Sequence, residues 1–205
     1  MRLQLFLIAM LVTVPPAIAQ ESLRPDVPVA IVGGMLLDGY EAAPIHHSVV
    51  VFENGRITAV GQKHDTEIPD NAVVIDAGGR TVMPGLIDAH MHIDLIGHGS
   101  YEDYYELIGD MDNIGRFMQI AAKQMIRAGV TSGLDLGAPF QAFDFRERVR
   151  RGEIPGPRLT LSGPWITRVD DDTVPDEYEI VIDSPRDAAL KTRGLIDRGV
   201  DVISY

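Results

Sequence analysis

The sequence predicts an α/β protein in two parts, a small all-β unit followed by strands and helices in alternation. Three observations predict it. From Val27 to about Val82 the apolar residues come in short runs parted by turn residues, with no helical periodicity. After Pro84, runs of strand length alternate with segments whose apolar residues recur every three or four positions. The composition, 45% hydrophobic and 23% charged with 20 Gly and 13 Pro in 205 residues, is that of a globular chain.

The N-terminus reads as an address. Arg2 supplies a positive start, Leu3 to Val14 is apolar apart from Gln4 and Thr13, and Ala17-Ile18-Ala19 is a small-x-small cleavage site. A bilayer span takes about 20 apolar residues, so residues 1–20 are expected to be a signal peptide rather than an anchor. The expectation is a periplasmic or secreted protein with no membrane contact after cleavage.

Residues 21–83 hold the β unit. Val29-Ala30-Ile31-Val32 is the first run, ended by Gly33-Gly34. Ser48 to Phe52 and Ile57 to Gly61 flank Asn54-Gly55, a strong hairpin signal. Ala72 to Asp76 and Thr81-Val82 continue the pattern.

Residues 84–205 form the alternating part. Leu86 to Ile93 is a strand candidate. Ile114, Phe117, Met118, Ala121, Ala122, Met125 and Ile126 share a helical stripe, which Asp112 or Asn113 can cap and Gly129 can end. Val130 to Leu136 is a strand, Phe143 to Arg151 a helix stopped by Gly152, and Leu159 to Leu161 a strand. Ser184-Pro185, with Asp187 behind them, opens a helix ending at Gly199, and Asp201 to Tyr205 is a fourth strand candidate. Such repeats imply parallel strands with helices outside, in an open sheet or a barrel. No G-x-G-x-x-G follows the first strand, which weighs against a dinucleotide fold.

Acids outnumber bases 30 to 18, for a net charge of −12. Nucleic-acid binding needs a basic face, so that partner class is set aside. With no Cys, disulfides, thiolate metal sites and a Cys nucleophile are excluded.

The chemistry concentrates in Pro84-Gly85-Leu86-Ile87-Asp88-Ala89-His90-Met91-His92. Side chains two apart on a strand share a face, so Asp88, His90 and His92 are expected together. Two imidazoles so placed can bind one metal ion, with Asp88 orienting a ring from behind. Equally, two buried histidines can bind nothing. Ile87, Ala89, Met91 and Ile93 face the other way and are expected to pack against helices.

The stretch Pro84 to His92, following a β unit with Asn54-Gly55-Arg56-Ile57, resembles the entry to the catalytic barrel of the metal-dependent amidohydrolase superfamily. Ala128 to Ser132 with Asp135-Leu136-Gly137, and Gly152 to Leu159, are similar to its imidazolonepropionase-like and prolidase-like dipeptidase branch. The resemblance implies a (β/α)8 barrel, of which about four βα units lie here, preceded by a β-sandwich made from both chain ends. It implies hydrolysis of C–N bonds in a small amide or peptide, with a divalent metal, zinc, on His90 and His92. The remaining ligands and the catalytic Asp are expected beyond Tyr205. The chain is then the N-terminal part of a longer protein and inactive alone. Ser204 stands where many relatives carry a metal-bridging Lys, which puts a binuclear centre in doubt. Ile166 to Asp172 lacks the Gly-Gly-His expected in that branch. A non-catalytic relative acting as a scaffold is the alternative.

Other residues carry double readings. His98, in Gly97-His98-Gly99, can reach substrate or be a solvated loop residue. Asp135 can touch substrate or cap the segment after its strand. Tyr101, Tyr104 and Tyr105 can form a lid or belong to an amphipathic surface helix. His46, His47 and His64 read as surface, and Asp170-Asp171-Asp172 as solvated.

Overall fold

The computed structural model describes residues 26–97, 99–100, 103–104, 106, 113–172 and 174–205. The signal-peptide reading, His98, Tyr101, Tyr105 and Asp112 therefore lie outside the described residues. The chain divides into two compact units, Met1–Pro84 and Gly85–Tyr205.

The first unit is built on a sheet of four strands: β1 (Val29–Val32), β3 (Ser48–Glu53), β4 (Arg56–Gln62) and β5 (Val73–Asp76). Their order is β4-β3-β1-β5, antiparallel except for the parallel pair β1–β5. The hairpin turns where the sequence places it. Asn54 and Gly55 take φ of 52° and 72°, the left-handed pair that a two-residue loop requires. Ala30, Val32, Val49 and Val51 form the core, with Ala59, Ile68 and Ala72 packed against it. Two short strands, β2 (Met35–Leu36) and β6 (Thr81–Val82), pair in parallel. At two residues each, they are too short to show a period. His46, His47 and His64 are exposed.

The second unit carries a parallel sheet in the order β7 (Leu86–Met91), β8 (Val130–Asp135), β9 (Arg158–Leu161). Between these strands run α1 (Ile114–Arg127) and α2 (Gln141–Arg150), and α3 (Pro185–Asp197) follows later. The stripe of α1 buries Ile114, Met118, Ala121 and Ala122 in a core shared with Met91, Ile93, Phe145, Leu159 and Leu161. Gly129, Gly152 and Gly199 all take positive φ just past helix ends, the left-handed stop that glycine allows without strain. Gly133 lets β7 and β8 close up: a Cβ there would sit 2.3 Å from Met91 Sδ.

Several expectations are corrected. Asn113 takes φ −79° and ψ −22°, already helical, and makes no side-chain cap bond to α1. A capping side chain needs extended backbone to reach back to the free N–H groups. Ser184 has that backbone, and its Oγ accepts from Asp187 N at 3.2 Å. Residues 201–205 form no strand. The chain bends at Asp201–Val202, with isolated bonds from Asp201 N to Leu161 O (2.8 Å) and from Ile166 N to Ser204 O (2.9 Å). Ile87 is 73% exposed and Ala89 is exposed too, whereas Met91 and Ile93 are buried. The core that includes the α1 stripe reaches only the C-terminal end of β7. A further parallel pair, β10 (Trp165–Thr167) and β11 (Glu179–Val181), has no counterpart in the sequence reading.

Candidate functional site

The end of β7 is shaped by a register shift. Asp88 faces Gly133 on β8, but Met91 faces Asp135, so β7 carries one extra residue between them. Such a bulge re-aims side chains and breaks strict alternation. The strand then stops at Met91, because the next ladder donor is diverted: Ile93 N donates to Asp135 Oδ2 at 2.8 Å. His92 thus sits just past the strand, in a turn, and not within it as the sequence reading placed it.

His90 and His92 are nonetheless brought together, their ring centroids 5.7 Å apart and nearly edge-on at 73°. His92 Nδ1 donates to the main-chain oxygen of Gly137 at 3.0 Å. A carbonyl only accepts, so Nδ1 carries the proton, and Nε2 is the nitrogen left for an electrophile. Asp135 Oδ1 lies 3.8 Å from the same Nδ1, too long for a hydrogen bond but close for a charge. Asp135 is the main reason the His92 imidazole is held above its usual range; burial works the other way, and the Gly137 carbonyl adds to the rise.

Asp135 is fully buried. Its Oδ1 accepts from Gly137 N at 3.0 Å while Oδ2 takes Ile93 N, so one carboxylate ties together the turns after β7 and β8. Asp88 is exposed and its Oδ1 accepts from His90 N at 3.1 Å; among the described residues it bonds neither imidazole.

The sequence reading missed the residues around this pair. Asp94 is fully buried, and its Oδ2 accepts from the hydroxyls of both Tyr104 and Tyr178. The Tyr104 hydroxyl also lies 3.0 Å from Asp94 O, so its one proton is shared between that carbonyl and Oδ2. Burial pushes the Asp94 carboxyl up, and the Tyr178 hydroxyl pulls it back. Burial and the adjacent Asp94 in turn drive the Tyr178 phenol far above its usual range. Tyr104, only 1% exposed, is helical, as are its described neighbours Asp103 and Glu106, which are exposed; its ring is thus the buried face of an amphipathic segment and not a lid. A cavity of about 180 Å³ is lined by His92, Asp94, Leu95, Gly137, Trp165 and the two tyrosines. One signal was available: the period-two series 88, 90, 92 continues to Asp94. Trp165 and Tyr178 carried none, since they meet only through β10–β11, where Trp165 N donates to Tyr178 O at 3.0 Å.

A metal centre can be tested on these donors. Two adjacent imidazoles, one with its tautomer set, suit a divalent cation such as zinc. A catalytic zinc usually has about three protein ligands, and among the described residues no cluster of three His, Asp or Glu is found. The donor set fits two ligands of such a site.

A parallel sheet with helices between its strands, and with two histidines at the C-terminal end of β7, defines an α/β protein with a candidate metal site. The chain belongs to the amidohydrolase family: residues 81–202 match the family model described as "Amidohydrolase family". It is 32% identical over 135 residues to a 5'-deoxyadenosine deaminase of Methanosarcina mazei, covering 60% of this chain and 29% of that protein. It is 41% identical over 66 residues to an imidazolonepropionase of Rhizobium rhizogenes, covering 32% and 16%. A solved structure described as a prolidase from Bifidobacterium longum superposes with a TM-score of 0.70 at 26% identity, over 86% of this chain and 40% of that one. The chain thus spans less than half the length of these relatives.

Proposed function

We propose that the protein is an exported, metal-dependent amidohydrolase that breaks C–N bonds in small amide or dipeptide-like substrates, and that β7, β8 and β9 are staves of its (β/α)8 barrel. In this reading residues 84–205 contribute about four βα units, and the unit before them belongs to a β-sandwich. The observation that carries it is the pair His90 and His92, 5.7 Å apart at the C-terminal end of β7, the end where barrel enzymes hold their sites.

His90 and His92 would hold the divalent metal, zinc in this reading, which would supply a Lewis acid able to acidify water and polarise a scissile carbonyl. The chain's own residues prepare the place. The Gly137 carbonyl fixes the His92 tautomer. Asp135 locks the two turns that carry His92 and Gly137. Trp165 and the two tyrosines line the cavity beside His92. Further ligands and a catalytic acid–base come from later strands, so these 205 residues alone are inactive. Asp88 steadies the bulge at His90 by accepting from its main-chain N–H. The relatives' activities on nucleoside, imidazolone and dipeptide substrates make a cyclic amide or a dipeptide the substrate classes to try first.

The test is metal content and hydrolysis in the full-length protein. His90→Ala with His92→Ala is expected to abolish bound zinc and lower kcat/KM by more than about a thousandfold. Unchanged metal and unchanged hydrolysis in that double variant reject the proposal. A protein that keeps its fold but neither binds metal nor hydrolyses is the non-catalytic relative.

A further inference from the structure

The cavity beside His92 has a feature the hydrolytic reading does not use. Asp94 is fully buried, and both tyrosine hydroxyls converge on its Oδ2. Its Oδ1 has no hydrogen-bond partner among the described residues. A buried carboxylate oxygen without a donor is costly, and such an orphan marks a place where a ligand supplies what the fold leaves out. The remaining lining is informative. Tyr104, Trp165 and Tyr178 present three aromatic rings, the last two with centroids 6.1 Å apart, and no Lys or Arg lines the cavity among the described residues. A second buried carboxylate, Asp135, lies behind His92 with its oxygens already occupied by main-chain N–H groups. The unmet need is therefore at Asp94, and it is for a hydrogen-bond donor.

We infer that this cavity is an ammonium-recognition subsite, in which Asp94 Oδ1 accepts from a primary ammonium flanked by the rings of Tyr104, Trp165 and Tyr178. Aromatic faces attract a desolvated cation, and a carboxylate gives it direction. The volume, about 180 Å³, suits one small group and not a whole substrate. Because His92 lines the same cavity, the bound ammonium sits next to the proposed reaction centre. The subsite rests on the hydrolase reading for its use: it selects peptide-like substrates with a free amino terminus over those whose terminus is blocked.

Two measurements on the full-length protein separate the subsite from the activity. In the first, n-propylammonium and its neutral isostere 1-propanol are titrated while tryptophan fluorescence is followed, with Trp165→Phe assigning the signal. The expected result is a saturable response to the ammonium alone, weakened roughly 10- to 100-fold in Asp94→Asn. An equal response to both compounds, or an ammonium response unchanged in Asp94→Asn, overturns the inference. If Asp94→Asn does not fold, the comparison of the two compounds on the wild type decides alone. In the second, hydrolysis of a dipeptide is compared with that of its N-acetyl form. The wild type is expected to favour the free amine, and Asp94→Asn to reduce that ratio by a similar factor. A wild type that hydrolyses both forms equally and ignores the ammonium retains its activity and loses the subsite. Binding of the ammonium without hydrolysis of either form does the reverse.

Discussion

His92 is steered by backbone, and that makes Gly137 a sensitive position. A Cβ at Gly137 would lie 2.5 Å from Trp165 Cε3 and 3.3 Å from His92 Cε1. Gly137→Ala must push one ring aside. It is expected to cost about 1–3 kcal/mol by denaturant unfolding, and to lower zinc content in the full-length protein as His92 turns. A variant with wild-type stability and full metal would show that the rings yield freely. Met118, fully buried at the centre of the α1 stripe, is a purely packing residue. Met118→Ala is expected to cost about 2–5 kcal/mol, measured in the same way, with metal content unaffected. At this scale the histidine pair was legible because period-two spacing is a local property. Asp94 lay on the same series, but its partners Tyr104 and Tyr178 are 10 and 84 residues away, and no local pattern joins them.

At the scale of elements, helix starts show what spacing conveys and what it omits. Ser184 and Asn113 are both capping residue types, yet only Ser184 makes the bond. Ser184→Ala is expected to destabilise the fold by about 1 kcal/mol, and Asn113→Ala by no more than a few tenths. Equal losses in urea melts would contradict the difference in backbone. Within α3, Lys191 Nζ lies 2.9 Å from Asp187 Oδ2 and holds the Asp187 carboxyl below its ordinary value. Lowered in the folded state, that group stabilises above its unfolded pKa, and the contribution fades as pH falls through the folded value. Asp187→Asn should therefore be less stable than wild type at neutral pH, and the gap should close in acid. Helix stripes, glycine stops and the Asn-Gly turn were readable because each is set within a few residues. The last strand candidate was not, since an apolar run becomes a strand only with a ladder partner, and residues 201–205 find isolated bonds instead.

For the whole molecule, the unit that carries the histidines has an unusual distribution of apolar surface. Leu86 is 50% exposed and Ile87 73%, on a strand at the end of its sheet. These 205 residues expressed by themselves are expected to bind a hydrophobic dye, and Ile87→Lys to reduce that binding. Equal dye binding by the two would place the sticky surface elsewhere. The class of fold was legible because strand and helix periods differ. The pairing of β10 with β11 was not, because two three-residue strands carry too little pattern. The anchoring of His92 by the Gly137 carbonyl has one more implication. The acceptor belongs to the polypeptide itself, so replacing side chains one by one never deletes it. A conventional alanine survey would overlook what aims this imidazole; exchanging the amide linkage that contains that oxygen for a weaker-accepting ester would expose it.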